Sequence, residues 1–113
     1  MLKSEIRKYY LEKRNELTNE KVEALSKELT NQFFSSIDLS SVEYMHLFIP
    51  INKFNEVNTW LIINRIWEDF PNIKTVTSTT LKDKLEHYIF DKSTKFIEDK
   101  WGIPLPQNCK KIE

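Results

Sequence analysis

The chain has 113 residues, a length typical of one domain, and 40% of them are hydrophobic, which is enough to bury a core. Its seventeen cationic and seventeen anionic side chains cancel, which argues against general nucleic-acid binding. The single glycine, Gly102, excludes phosphate loops, dinucleotide fingerprints and nucleophile elbows, because these need several closely spaced glycines. One cysteine and no long apolar run predict a soluble cytoplasmic protein, without an internal disulfide, a signal peptide or a membrane segment.

Two amphipathic helices are predicted at the start of the chain. Residues 2–17 place apolar side chains on one side at about 100° per residue, which is typical of a helix with one buried face. Thr18 or Asn19 can cap a second helix. Its apolar residues recur at spacings of three and four, and it is expected to end near Ser35 and Ser36.

A strand, a third helix and further strands are predicted next. Residues 42–49 form a nearly continuous apolar run before Pro50, which indicates a buried strand. Asn55 is expected to cap a third, well-buried helix with Glu56 in its first turn. Three later segments have the composition of strands: residues 74–79, 85–90 and 94–97. The tail from Gly102 contains two prolines and is expected to be irregular.

This order of elements predicts a single α/β domain over residues 1–113. Helices would pack on a mixed or parallel sheet.

Three cations in the first helix are candidate ligands for an anion. Lys3, Arg7 and Arg14 lie within about 40° of one another on a helical wheel, beside the apolar stripe. Guanidinium groups there can hold a phosphate in a bidentate way. The alternative is a solvated helix face whose cations pair with neighbouring glutamates.

Other candidate residues also have two interpretations. Glu56 can accept hydrogen bonds from a ligand's N–H groups, or it can be an acid favoured by the helix dipole. His46, in an apolar strand, is interpreted as a structural residue. Trp101 can stack on a ligand or pack in the core. Cys109, with no histidine nearby in the sequence, is not expected to act as a nucleophile.

Three motifs together resemble the 5-formyltetrahydrofolate cyclo-ligase family, also called 5,10-methenyltetrahydrofolate synthetase. The spacing of Lys3, Arg7 and Arg14 is similar to the family's N-terminal helix. Residues 44–50 followed by 56–59, Glu-Val-Asn-Thr, resemble its strand, loop and helix start. Residues 101–106, Trp-Gly-Ile-Pro-Leu-Pro, resemble its segment containing Gly-Ile. The resemblance covers essentially the whole chain but only the N-terminal part of the family domain.

The resemblance implies an ATP- and Mg²⁺-dependent ligase of folate and one-carbon metabolism. ATP phosphorylates the formyl oxygen of 5-formyltetrahydrofolate, N10 attacks, and loss of phosphate gives 5,10-methenyltetrahydrofolate. The resemblance further implies that Lys3, Arg7 and Arg14 bind ATP, whereas Pro50, Glu56 and Trp101 bind folate. No catalytic residue and no protein ligand to a metal is assigned.

The chain also departs from the family pattern. Asn58, Ser78 and Leu105 replace residues that the family often has as an acid, a base and an acid. The family's later Gly-rich ATP loop has no counterpart in the 113 residues, so these residues are expected to be inactive alone. Unpaired sheet edges predict a possible homodimer. The alternative is a non-catalytic binding or interaction module with a similar pattern of helices and strands.

Overall fold

The computed structural model describes residues 2–51, 55–81, 83–100 and 102–112. In chain order it contains three helices and six strands: α1 Lys3–Asn15, α2 Asn19–Ser36, β1 Tyr44–His46, α3 Trp60–Asp69, β2 Lys74–Leu81, β3 Lys84–Phe90, β4 Lys95–Glu98, β5 Pro104–Gln107 and β6 Lys110–Ile112.

The strands form a mixed four-stranded sheet and a separate hairpin. The sheet has the order β1-β2-β3-β6, in which β1 and β2 are parallel and the other neighbours are antiparallel. Strands β4 and β5 pair with each other only, among the described residues. The predicted α/β class with a mixed sheet is therefore confirmed.

The core lies between α2, α3 and one face of the sheet. Ile63 and Ile66 of α3 are fully buried, as the apolar pattern of that helix predicts. Leu39, Ile66 and Ile73 form the centre of the apolar cluster, with partly buried residues of α2 and β1 packed around them.

A buried threonine joins α3 to the sheet. The Thr75 hydroxyl donates to the Phe90 carbonyl at 2.7 Å and accepts from the Trp67 indole N–H at 3.1 Å. Because side chains alternate along a strand, Thr75 and Phe90 mark the helix-covered face of the sheet. Residues such as Val76 and His87 belong to the opposite face.

Helix α1 contributes no buried residue. Its apolar side chains are largely exposed, and Leu2 and Tyr10 keep 67% and 65% of their accessible surface. The expected apolar seam against the protein body is therefore absent along most of this helix. Only Arg14 in its last turn is half-buried.

Two sequence predictions about strands were wrong: the first strand is shorter than predicted, and the tail contains strands that were not predicted. The apolar run at 42–49 gives only three residues of regular strand, because β1 pairs with β2 alone and the chain then leaves the sheet. The tail, expected to be irregular, forms β5 and β6. Pro104 and Pro106 are two residues apart, so both missing N–H groups fall on the same edge of β5. The other edge keeps its donors and pairs with β4.

Gly102 closes the β4–β5 connection. Its φ of 79° lies in the region that other residues enter at a cost, and its N–H donates to the Asp99 carbonyl at 3.0 Å. The only glycine in the sequence thus serves a turn.

Candidate functional site

A cavity of about 490 Å³ opens between the end of α1, helix α2 and the two chain segments that flank residues 52–54. Its walls are mainly apolar, and the charged groups among its described lining residues are Arg14 and Glu56. We call it the Arg14–Glu56 cavity. The lining residues come from α1 and the residues after it, α2, and the segments on either side: Arg14, Leu17, Val22, Leu25, Ser26, Leu29, Phe48, Ile49, Ile51, Asn55, Glu56 and Val57.

Hydrogen bonds to α2 fix the segment that carries Glu56. The Asn58 backbone N–H donates to the Ser26 hydroxyl at 2.9 Å, and the Asn58 side chain donates to Glu23 at 3.2 Å. The Thr59 hydroxyl donates to the Phe48 carbonyl at 2.6 Å. Because Ser26 is buried, the first of these bonds is well shielded from water.

The Glu56 carboxylate lines the cavity, and one of its two oxygens accepts a hydrogen bond. Its Oε1 accepts a hydrogen bond from the Ile51 backbone N–H at 2.6 Å. Among the described residues this is the one hydrogen bond to the carboxylate, so Oε2 can accept a bond from a ligand. Helix α3 begins at Trp60, so Glu56 precedes the helix and is not in its first turn as predicted.

Asn55 does not cap α3 as the sequence suggested, because it reaches back to the end of α1. Its Nδ2 donates to the carbonyls of Arg14 and Leu17, each at 3.0 Å. Its φ of 52° is a left-handed conformation that asparagine tolerates better than most residues. These bonds fix the backbone at Arg14 against the rest of the cavity. The N-cap residue of α3 is Thr59, whose side chain makes no capping bond, and the Oδ1 of the preceding Asn58 accepts from the Trp60 N–H at 3.2 Å.

The Arg14 guanidinium supplies positive charge to the cavity. Its Nε is buried and has no hydrogen-bond partner among the described residues. Buried donors in folded proteins are nearly always paired, so an unpaired one marks a place where a further acceptor is expected. A guanidinium in a mainly apolar cavity is well suited to a carboxylate or phosphate oxygen.

Lys3 and Arg7 lie apart from this cavity. Both are exposed, and neither makes an ion pair or a side-chain hydrogen bond within the described residues. Seven residues separate Arg7 from Arg14, which is about 10 Å along a helix. The structure thus brings Arg14 together with Glu56, whereas Lys3 and Arg7 extend along the open side of α1.

Pro50 is buried between two lining residues, Ile49 and Ile51. Its ring lacks an N–H and fixes φ, which stiffens the wall beside the Ile51–Glu56 hydrogen bond. Trp101, the third residue implied for folate binding, lies outside the described residues.

Ser26 and Asn55 belong to the site, although neither was predicted to be part of it from the sequence. A serine in the apolar stripe of α2 was the available signal for Ser26, because a polar residue at a buried helix position usually has a partner. Asn55 was noticed, but it was assigned to the wrong helix.

Neither a metal centre nor a membrane span is found in the described part of the chain. No group of three or more His, Cys, Asp and Glu residues within it could hold a metal ion. None of its helices combines the length and the apolar character needed to cross a bilayer.

Comparison with known proteins identifies the fold. No family model matches the sequence, nor does any curated protein. Among solved structures, the fold is similar to the NMR structure of Aquifex aeolicus 5,10-methenyltetrahydrofolate synthetase, with a TM-score of 0.78 and 21% sequence identity. The match covers 99% of this chain and 55% of that chain. The chain therefore has the fold of 5,10-methenyltetrahydrofolate synthetase over about half of that protein's length.

Proposed function

We propose that the chain provides the folate-binding side of an ATP-dependent 5-formyltetrahydrofolate cyclo-ligase, with the folate in the Arg14–Glu56 cavity. One observation carries the proposal. Within the part of the chain that the structure describes, a buried arginine donor without a hydrogen-bond partner and a carboxylate with an unengaged oxygen line the same apolar cavity. The fold shared with a methenyltetrahydrofolate synthetase supports the choice of ligand.

Glu56 would recognise the pterin ring. The ring is flat and apolar on its faces, and it presents N–H donors at its edge. Side chains such as Leu25, Phe48 and Val57 offer apolar walls to the faces, while Oε2 of Glu56 accepts from the edge. A charged acceptor in such a site selects strongly for a ligand that carries the matching donors.

Arg14 would contact the anionic part of the reacting complex. In the reaction implied for the family, the formyl oxygen attacks the γ-phosphorus of ATP, the bond from that phosphorus to the bridging oxygen breaks, and ADP leaves. N10 then attacks the formyl carbon and phosphate departs. A guanidinium held in an apolar cavity stabilises the phosphoryl charge more strongly than one in water.

Lys3 and Arg7 are proposed as further contacts to ATP phosphates. Mg²⁺ bound with ATP would neutralise phosphate charge. It usually needs one or two carboxylates in addition to phosphate oxygens. We assign no Mg²⁺ ligand among the described residues, and we propose that these 113 residues do not turn over substrate alone. Pro50 and Trp101 are proposed to flank the folate.

Calorimetric titration with 5-formyltetrahydrofolate tests the proposal. The protein should bind one equivalent, and Glu56→Gln should weaken binding by at least about tenfold, because a charged hydrogen bond in a shielded site is lost. Glu20→Gln is the matched control, since Glu20 lies in the exposed first turn of α2 and should leave binding unchanged. Absence of saturable binding, or equal binding by Glu56→Gln, contradicts the proposal.

An interaction module remains the second candidate, and the exposure of α1 favours it. A helix with Leu2 and Tyr10 more than 60% exposed offers apolar surface to a partner. A homodimer through an exposed sheet edge stays a separate prediction. Sedimentation equilibrium at rising protein concentration checks it, and a strict monomer at high concentration would contradict it.

A further inference from the structure

Three polar side chains meet on the sheet face opposite the helices. His46 lies on β1, Ser78 on β2 and His87 on β3. In the register of the sheet, His46 pairs with Val76, and Ser78 pairs with His87. Since directly paired residues share a face and residues two apart on a strand share it too, all three point to the same side.

The two imidazole rings converge on one oxygen. His46 Nε2 and His87 Nδ1 each lie 2.5 Å from the Ser78 hydroxyl oxygen, on opposite strands flanking β2. The two ring nitrogens are therefore no more than about 5 Å apart. The ring centroids are 5.7 Å apart with an interplanar angle of 77°, so the rings approach edge to face rather than blocking each other.

We propose that His46 and His87 form a two-histidine chelate for a divalent transition-metal ion. Neutral imidazole is a common metal ligand, and a metal–nitrogen bond is about 2.0–2.1 Å long. Two adjacent ligands at that length are about 3 Å apart in square-planar geometry. Rotation of the Ser78 hydroxyl away from the rings, together with small rotations of the two imidazoles, would bring the nitrogens to this separation and place the ion near the position that the hydroxyl now occupies. Both histidines are exposed, so the rotations meet little packing resistance.

The surroundings favour an ion that prefers nitrogen ligands. The paired strand residues on this face include no Asp or Glu. Hard cations such as Mg²⁺ and Ca²⁺ need oxygen ligands and are disfavoured, whereas imidazole suits Ni²⁺, Cu²⁺ and Zn²⁺. A shallow cavity of about 300 Å³, lined by Tyr44, Val76 and Ile112 together with the histidines, leaves room for water molecules on the remaining coordination positions.

The composition of the chain makes the site easy to test. It contains two histidines in all, so any imidazole ligation involves this pair. Cys109 is the other strong ligand for such ions, and its sulfur contacts Thr94 and Gln107, residues of the hairpin region. A Cys109→Ser background removes it as a competitor.

Titration of the Cys109→Ser chain with Ni²⁺ alone should give one site per chain. His46→Gln and His87→Gln should each lower the affinity by more than about tenfold, since loss of even an outer-shell partner of a metal ligand costs that much. Ser78→Ala should retain Ni²⁺ binding to within a few-fold, because the hydroxyl is not required as a ligand. Circular dichroism should report the same fold for all variants.

A spectroscopic readout distinguishes a true chelate from loose surface binding. With one equivalent of Cu²⁺, electron paramagnetic resonance should show two coupled imidazole nitrogens in the Cys109→Ser chain and one in either histidine variant. Either histidine variant binding Ni²⁺ as tightly as its parent would overturn the proposal, as would a Cu²⁺ spectrum with a single nitrogen in the parent.

Discussion

The Asn55 side chain donates hydrogen bonds to the Arg14 carbonyl and thereby fixes the end of α1 against the cavity. A second bond to the Leu17 carbonyl strengthens the link. Helix α1 has no buried residue of its own, so this contact is a main attachment of its last turn. Asn55 thus holds the backbone that carries Arg14 beside the cavity.

Replacing Asn55 should therefore loosen the end of α1. Asn55→Gly keeps the left-handed conformation but loses two hydrogen bonds, which should lower the free energy of unfolding by about 1–3 kcal/mol. Asn55→Ala should cost about 1 kcal/mol more, because alanine is strained at positive φ. Urea unfolding followed by circular dichroism measures both. Equal stability of the wild type and Asn55→Gly would show that the link carries no stability.

Thr75→Val should destabilise the protein although valine has nearly the same shape. The substitution leaves the Trp67 indole N–H and the Phe90 carbonyl without their partner, at a cost of about 2 kcal/mol or more. Thr77→Val is the matched control. Thr77 is buried on the same face and makes no side-chain hydrogen bond to the described residues. An equal loss of stability in the two variants would contradict the role of the Thr75 hydroxyl.

Stability should depend on pH through the Glu86–Tyr88 pair. The hydrogen bond from the Tyr88 hydroxyl, and then the bond from Lys111, lower the pKa of Glu86 below 4.5. The bond to Glu86 raises the pKa of Tyr88 above 10.0. The Glu86 contribution is thus present above pH 4.5 and lost as pH falls through its lowered pKa. The Tyr88 contribution is present below pH 10.0 and lost as pH rises through its raised pKa.

Tyr88→Phe should abolish the alkaline contribution, because phenylalanine does not ionise, and should reduce the acidic one, because the bond from Lys111 to Glu86 remains. Urea unfolding of the wild type and Tyr88→Phe across the acidic range measures the acidic contribution. Ultraviolet titration of tyrosine ionisation measures the alkaline one. Parallel pH profiles for the two proteins would show that the pair does not contribute.

Lys3→Ala and Arg7→Ala should each weaken ATP binding two- to fivefold, which is about the value of an exposed charge interaction. Lys8→Ala is the control, because its side chain leaves α1 about 100° away from that of Arg7. A fluorescent ATP analogue provides the measurement. The same reduction in all three variants would indicate only a general effect of net charge.

Local patterns predicted most of the fold. Periodicity located all three helices, and Thr18 caps α2 as one of the two residues expected. Strands β2 and β3 were also close to their predicted ranges. The tail was predicted to be irregular because its two prolines are not typical of a strand. It forms β5 because β4 lies beside it and supplies the pairing.

Individual residues of the site could be predicted from the sequence, but their common location in one cavity could not. Glu56 and Arg14 were both identified, but their common cavity depends on Asn55 contacting a helix about 40 positions earlier. Such a contact between distant parts of the chain leaves no local pattern. The meeting of His46 and His87 depends in the same way on the register of three strands.

A two-dimensional ¹⁵N–¹H NMR titration of the chain with 5-formyltetrahydrofolate tests the proposed folate site most directly. If folate binds in the cavity, saturable shifts will be concentrated at the amides around it, including Ser26, Ile51 and residues 55–57. These shifts should disappear in Glu56→Gln. Shifts confined to other surfaces, or no shifts at saturating ligand, would contradict the claim that this cavity is a folate site.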